Sequence, residues 1–272
     1  MQTRSLLEDV RGLWLLVLWD LDRMKRRTLF VVMRVSWFAI QVSIFGLALS
    51  AMVRFRAIAG TNLDYYHFYL FGVYTSMLFS ISISRAYDIA EEFEEGTIEY
   101  LLSLPFKRRV LALGRSIGGG FASFLFTLPM YAFIIYLLGS YDPVAIAVSM
   151  IGALAFSIGV VGFVLTVVLS LKSSDTTDIA FGLLDAILVR LSTVFYPAVV
   201  LSRIAPYYYA ALLNPLSHFV DFLRTVFFFQ EFKAIAIANP DVMTAYLFGF
   251  AVGLSTLAVL IVEKAVEGGG WK

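Results

Sequence analysis

Six long stretches of this chain are apolar and sparsely charged, and no other feature restricts its fold as severely. They run over roughly 29–53, 67–89, 116–139, 144–171, 179–202 and 242–262. Each is long enough to cross ~30 Å of hydrocarbon as a helix rising ~1.5 Å per residue. With 60% hydrophobic and only 15% charged residues, the chain is excluded from the ordinary soluble class. The reading is an all-α integral membrane protein with six transmembrane helices.

Orientation follows from the basic residues between the runs. With the N-terminus inside, thirteen lie on inner segments: Arg4, Arg11, Arg23, Lys25, Arg26, Arg27, Lys107, Arg108, Arg109, Arg115, Lys172, Lys264 and Lys272. Five lie outside: Arg54, Arg56, Arg203, Arg224 and Lys233. The excess of inner charge puts both termini in the cytoplasm. The net charge of +1 gives no electrostatic case for nucleic acid, and the absence of cysteine excludes disulfides and thiol chemistry. The N-terminus carries early acidic residues and lacks a small-residue cleavage site, so it does not read as a removable signal peptide.

Residues 1–28 form a unit of their own. Leu6, Leu7, Val10, Leu13, Trp14, Val17, Leu18 and Leu21 recur with helical period, and Arg4, Glu8, Arg11, Asp22 and Arg23 lie mostly opposite. The uninterrupted apolar part, Gly12–Trp19, is too short to span, which predicts an amphipathic helix lying in the interface. Residues 29–264 then hold the six-helix domain, and 265–272 a cytoplasmic tail.

The densest charge lies at 91–115, EEFEEGTIEYLLSLPFKRRVLALGR, with Glu91, Glu92, Glu94, Glu95 and Glu99 followed by Lys107, Arg108, Arg109 and Arg115. Such a segment cannot lie in hydrocarbon and predicts an inner elbow between two spans. Gly96 suits the left-handed end of the arriving helix, and Thr97 can cap a new one. Ile98, Leu101 and Leu102 give that short helix an apolar side, and Pro105 ends it. Spacing alone admits two readings: a helix gripped by a soluble partner, or a solvated loop that obeys the positive-inside rule.

Outside, only 203–241 is long. It is too apolar to be free in water, yet broken by Pro206, Asn214-Pro215 and Asn239-Pro240. Asn214 predicts an N-cap and Pro215 a first helical residue. Leu216, Phe219, Val220, Leu223 and Phe227 share one face of that helix, with His218, Asp221 and Arg224 on another. A re-entrant or interfacial hairpin is expected, with the polar face as its wet side or His218 and Asp221 as a proton relay.

Glycines within spans predict close helix packing: Gly114/Gly118, Gly249/Gly253 and the pair Gly152 and Gly159. Gly118-Gly119-Gly120 reads either as packing or as a hinge. Among chemical motifs, no P-loop and no H-E-x-x-H occurs. The one G-x-S-x-G, at Gly114–Gly118, lies on the inner side, away from His67 and His218 near the outer side, which disfavours a hydrolase. Ionisable groups inside spans default to function. Arg34 can snorkel to the inner face. On the fifth span Asp178, Asp185 and Ser192 form a polar seam, and Arg190 is expected to be buried, facing a wet pathway or an acidic partner.

Two stretches carry a family resemblance. Glu92, Glu94, Gly96, Thr97, Ile98, Glu99, Leu101, Leu102, Pro105 and Arg108, continuing to Leu113-Gly114-Arg115, resemble the coupling segment of ABC-2 type transporter permeases. Phe195-Tyr196-Pro197, Pro206, Asn214-Pro215-Leu216-Ser217 and Arg224 are similar to that family's fifth span and outer re-entrant region. Ile98 stands where the family has Leu, Arg115 where it has Lys, and the small polar-glycine step before Pro197 is missing. The resemblance covers about 29–262 and implies the membrane half of an ABC exporter in a prokaryotic cell membrane. Two permease copies, alike or different, would pair above two copies of a separate ATPase. ATP and Mg would bind there, with no cofactor on this chain. It further implies that Glu92, Glu94, Gly96, Thr97, Glu99, Leu101, Leu102, Pro105 and Arg108 couple to the ATPase. Asp185, Arg190, Ser192 and Pro197 would belong to the translocation pathway, and Asn214, Pro215, His218, Asp221 and Arg224 to the outer region. The competing classes are an ion-driven carrier or channel, using Asp185, Arg190 and His218, and a membrane enzyme built on Ser116.

Overall fold

The computed structural model describes residues 6–26, 28–53, 61–97, 100–101, 107–171 and 173–267, and their regular structure is entirely helical. Among the described residues, four helices are long and apolar enough to cross a membrane: Leu29–Met52, Arg108–Leu138, Pro143–Leu171 and Pro240–Lys264. A membrane-embedded helical protein follows from their length and apolarity.

Helix α1 (Leu6–Lys25) has Glu8 and Asp9 in its first turn and Arg23 and Lys25 in its last, the charge order that complements the helix dipole. It buries Leu16, Val17 and Asp20 and exposes Val10, Trp14 and Trp19. Helices α2 (Thr28–Ile40) and α3 (Gly46–Met52), joined by a π-helical turn at Gln41–Phe45, form the first apolar rod.

Helix α4 (Tyr65–Ile83) is buried on nearly every face and is the centre of the bundle. After a turn at Ser84 the chain continues as α5 (Arg85–Glu94). Helix α6 (Arg108–Leu138) carries Pro129 within it and ends at Gly139, whose φ of 61° needs a residue without Cβ. Helices α7 (Pro143–Leu171) and α13 (Pro240–Glu267) pack along each other and against α6. Between them lie α8 (Ser174–Arg190), α9 (Ala198–Leu201), α10 (Ala205–Leu213), α11 (Pro215–Phe227) and α12 (Phe229–Phe232).

Two expected spans are not single helices. The stretch 67–89 is divided between α4 and α5, and 179–202 is interrupted after Arg190 by an irregular segment before α9. The second break is held by side chains. Asn214 Nδ2 donates to the carbonyls of Leu188 (2.7 Å) and Leu191 (3.0 Å), and Ser192 Oγ donates to Val189 O (2.7 Å). A helix can end inside a protein only where its freed carbonyls find such donors.

The glycines divide by what lies over them. A Cβ on Gly114 would stand 2.4 Å from Leu16, and one on Gly118 would stand 2.8 Å from Asp20, so this pair admits α1. Gly119 and Gly120 receive Val161 and Ile158 of α7, inside an unbroken helix rather than at a bend. Gly152 receives Phe222 and Gly159 receives Phe250. The expectation for Gly249 and Gly253 is corrected: among the described residues nothing lies within 4 Å of a Cβ placed on either, and both line an apolar cavity of about 600 Å³.

Candidate functional site: a buried ion cluster joined to the charged elbow

Near the end of α5, six charged side chains from three helices are drawn together. The small Gly114 and Gly118 let α1 approach α6, which brings Asp20 to Arg115: Nη1 donates to Asp20 Oδ1 at 2.7 Å. Arg115 Nη2 lies 2.8 Å from Glu92 Oε2, and Arg23 Nη1 lies 2.5 Å from Glu92 Oε1. One turn before Glu92, Asp88 pairs with Arg85 at 3.2 Å. The carboxylates of Asp20, Asp88 and Glu92 thus balance the guanidinium groups of Arg23, Arg85 and Arg115. All but Arg23 are buried, a placement that charges tolerate only when paired. Burial pushes the Asp20 carboxyl above the usual carboxylate range, against the pull of Arg115.

Two residues on, Glu94 engages a further helix. Its carboxylate accepts from both the backbone N–H and the hydroxyl of Ser174, each at 2.7 Å, at the first residue of α8. A carboxylate at a helix N-terminus satisfies free donors and meets the positive end of the dipole. These two bonds hold the Glu94 carboxyl below its ordinary pKa. On the basic side, Lys107 pairs with Asp9 of α1, and Arg109 with Glu263 of α13 at 2.5 Å. The elbow is therefore tied directly to α1, α6, α8 and α13.

Within the elbow, Gly96 has φ 77°, the left-handed conformation expected of it. Thr97, Tyr100 and Leu101 are helical, with Leu101 buried and Tyr100 exposed, and Arg108 is exposed at the start of α6. Ile98, Glu99, Leu102 and Pro105 lie outside the described residues.

The pathway and outer residues separate into two groups. Asp185 is half-buried with no bond to its Oδ1, whereas Arg190 is exposed and donates to Ala186 O at 3.0 Å. The expectation of a buried Arg190 is corrected, because α8 ends there and the side chain folds back over the last turn. Ser192 and Pro197 are buried in the irregular segment. Asn214 caps α11 as expected, accepting from Leu216 N at 3.0 Å, with Pro215 in its first turn.

The expected wet face of α11 is also corrected: His218, Asp221 and Arg224 are all buried. Arg224 uses its whole guanidinium. Nε and Nη2 donate to Phe68 O (3.1 and 2.8 Å), Nη2 also to Val194 O (2.7 Å), and Nη1 to Thr193 O (2.7 Å) and Asp221 Oδ1 (3.0 Å). Its carbon centre stands 3.4 Å from the centroid of the Phe68 ring. Asp221 also accepts from Thr193 Oγ1 (3.0 Å) and Ile237 N (2.8 Å). His218 faces elsewhere, on Leu212 O at 2.8 Å and stacked on Tyr246, so the two do not form a proton relay. Ser116 is buried, and its hydroxyl has no hydrogen-bond partner among the described residues.

Sequence reasoning overlooked Asp20, Ser174 and Phe68. The signal for Asp20 was available: it lies one turn beyond Leu16 and Val17, a carboxylate on an otherwise apolar face. Among the described residues, no group of three or more His, Asp or Glu is placed to hold a metal ion. No family model matches the sequence, and no curated protein matches it.

Proposed function

We propose that this chain is the permease subunit of an ATP-driven exporter of the ABC-2 type, with six crossings. The four long helices are joined by two broken ones, α4 with α5 and α8 with the segment through α9. Both termini and the elbow face the cytoplasm, and 203–241 returns to the outer side. A separate ATPase would push on the elbow, because the chain has no P-loop of its own.

One observation carries the reading: consecutive acidic positions of the elbow clasp different helices. Glu92 holds Arg23 and Arg115, and Glu94 holds Ser174. Force delivered between Glu95 and Lys107 therefore reaches α1, α6 and α8 together. In this reading Glu92 and Glu94 transmit the push, and the exposed Tyr100 and Arg108 are the surfaces a partner would meet.

The test is co-purification of a P-loop ATPase after mild detergent extraction, followed by Glu94→Ala in the assembled complex. Transport should fall by roughly ten-fold while ATP hydrolysis and assembly persist, the scale of a coupling free energy of about 1–3 kcal/mol. Full transport by the chain reconstituted alone and driven by an ion gradient would overturn the proposal. It would select the ion-driven carrier, which the unbonded Asp185 favours.

A further inference from the structure

Beside the junction of α4 and α5, where these helices face α2 and α8, lies a cavity of about 210 Å³. Its wall includes Arg34, Ser80, Tyr87, Asp178, Phe181 and Asp185. It differs in kind from the larger cavities, which are lined almost wholly by apolar side chains. Asp185 Oδ1 is closed off from solvent and accepts no hydrogen bond. A buried acceptor of this sort is normally matched by a donor.

Among the described residues no cation contacts the Asp185 carboxylate. Two carboxylates face one guanidinium, and Arg34, which lies against the Phe30 ring, forms no ion pair with either among the described residues. Arg190, the other cation on α8, folds back on Ala186 and does not line the cavity. Arg34 and Arg190 act on Asp185 only at a distance, which leaves its carboxylate able to take a contacting cation. Phe181 and Tyr87 are part of the same wall, and aromatic rings attract cations. The volume is below the roughly 300–1,000 Å³ of drug-sized sites, yet several times the ~30 Å³ share of one water. It fits the charged head of an organic molecule better than a bare metal ion.

We propose that this cavity binds a singly charged organic cation, an alkyl- or arylammonium, with Asp185 as its counter-ion and Asp178 as the entry carboxylate. That the bound cation is also the exported substrate rests on the permease reading; the binding site does not.

The experiment uses the full chain in detergent without any ATPase, with phenyltrimethylammonium as the probe and calorimetric titration as the readout. Saturable binding is expected, and tert-butylbenzene, its neutral isostere, should bind about ten-fold more weakly or worse. Asp185→Asn should weaken binding by about ten-fold and Asp178→Asn by less. Asp185 makes no hydrogen bond or ion pair among the described residues, so this variant should nearly keep the parent unfolding midpoint. If it does not, Asp178→Asn and the neutral isostere still decide. Equal binding of the isostere, undiminished binding by the intact variants, or no saturable binding would each overturn the site. Failure to find an ATPase partner would sink the permease reading and leave this result untouched.

Discussion

The cluster around Arg115 and the one around Arg224 are both buried and both centred on an arginine, yet they are built differently. Arg224 donates to three backbone carbonyls and one carboxylate, so its partners are fixed parts of α4, the irregular segment and α11. Arg115 meets only side chains, Asp20 and Glu92, and the second of these is shared with Arg23. Atoms in the cluster remain without a hydrogen bond among the described residues, including Asp20 Oδ2 and Arg115 Nε. Backbone partners make a lock; shared side-chain partners can exchange. The Arg224 cluster therefore anchors non-helical chain inside the bundle, and the Arg115 cluster is suited to a joint that moves between arrangements.

The largest effect should come from the lock. Arg224→Lys keeps the charge but replaces five forked donors with three at one point, leaving carbonyls of Phe68, Thr193 or Val194 unpaired. A loss of roughly 3–5 kcal/mol is expected, read as a fall in the unfolding midpoint in detergent. The joint should be less sensitive. Glu92→Gln removes the shared carboxylate but leaves Arg115 on Asp20, for a loss of about 1–3 kcal/mol in the same measurement. If Glu92→Gln proves the more damaging of the two, the assignment of lock and joint is reversed.

The same contrast explains what could be foreseen. The elbow was legible because charge excludes itself from hydrocarbon, and Gly96, Asn214 and Pro215 were legible because their backbone chemistry is local. Arg224 was not. Spacing placed it on a polar stripe with His218 and Asp221, and a polar stripe on an isolated helix reads as wet. What makes the stripe dry is chain from far away: the carbonyls of Phe68, Thr193 and Val194 and the N–H of Ile237 fill it. Gly249 and Gly253 fail for the opposite reason. Their spacing invites a neighbouring helix, but whether one arrives is decided by the rest of the bundle, and here a cavity does. Asp185 was singled out by its cost and its seam with Asp178 and Ser192, and the structure adds the cavity that it lines.

The smallest effect belongs to Glu94, and it sharpens the comparison most because it can be switched without mutation. Its carboxyl titrates below the ordinary 4.5 because Ser174 donates two hydrogen bonds to the ionised form. A carboxyl depressed on folding adds stability that is fully present above 4.5 and is lost as pH falls through the folded value. The side chain is exposed, so the contribution is small in water. Unfolding midpoints of the parent chain and of Glu94→Ala should therefore differ slightly and by a constant amount above pH 4.5, then converge on further acidification. A difference that persists in acid would mean that the α5–α8 clasp is held by packing rather than by this carboxylate. The elbow would then reach α8 by a different route from the one that gives it α1 and α6.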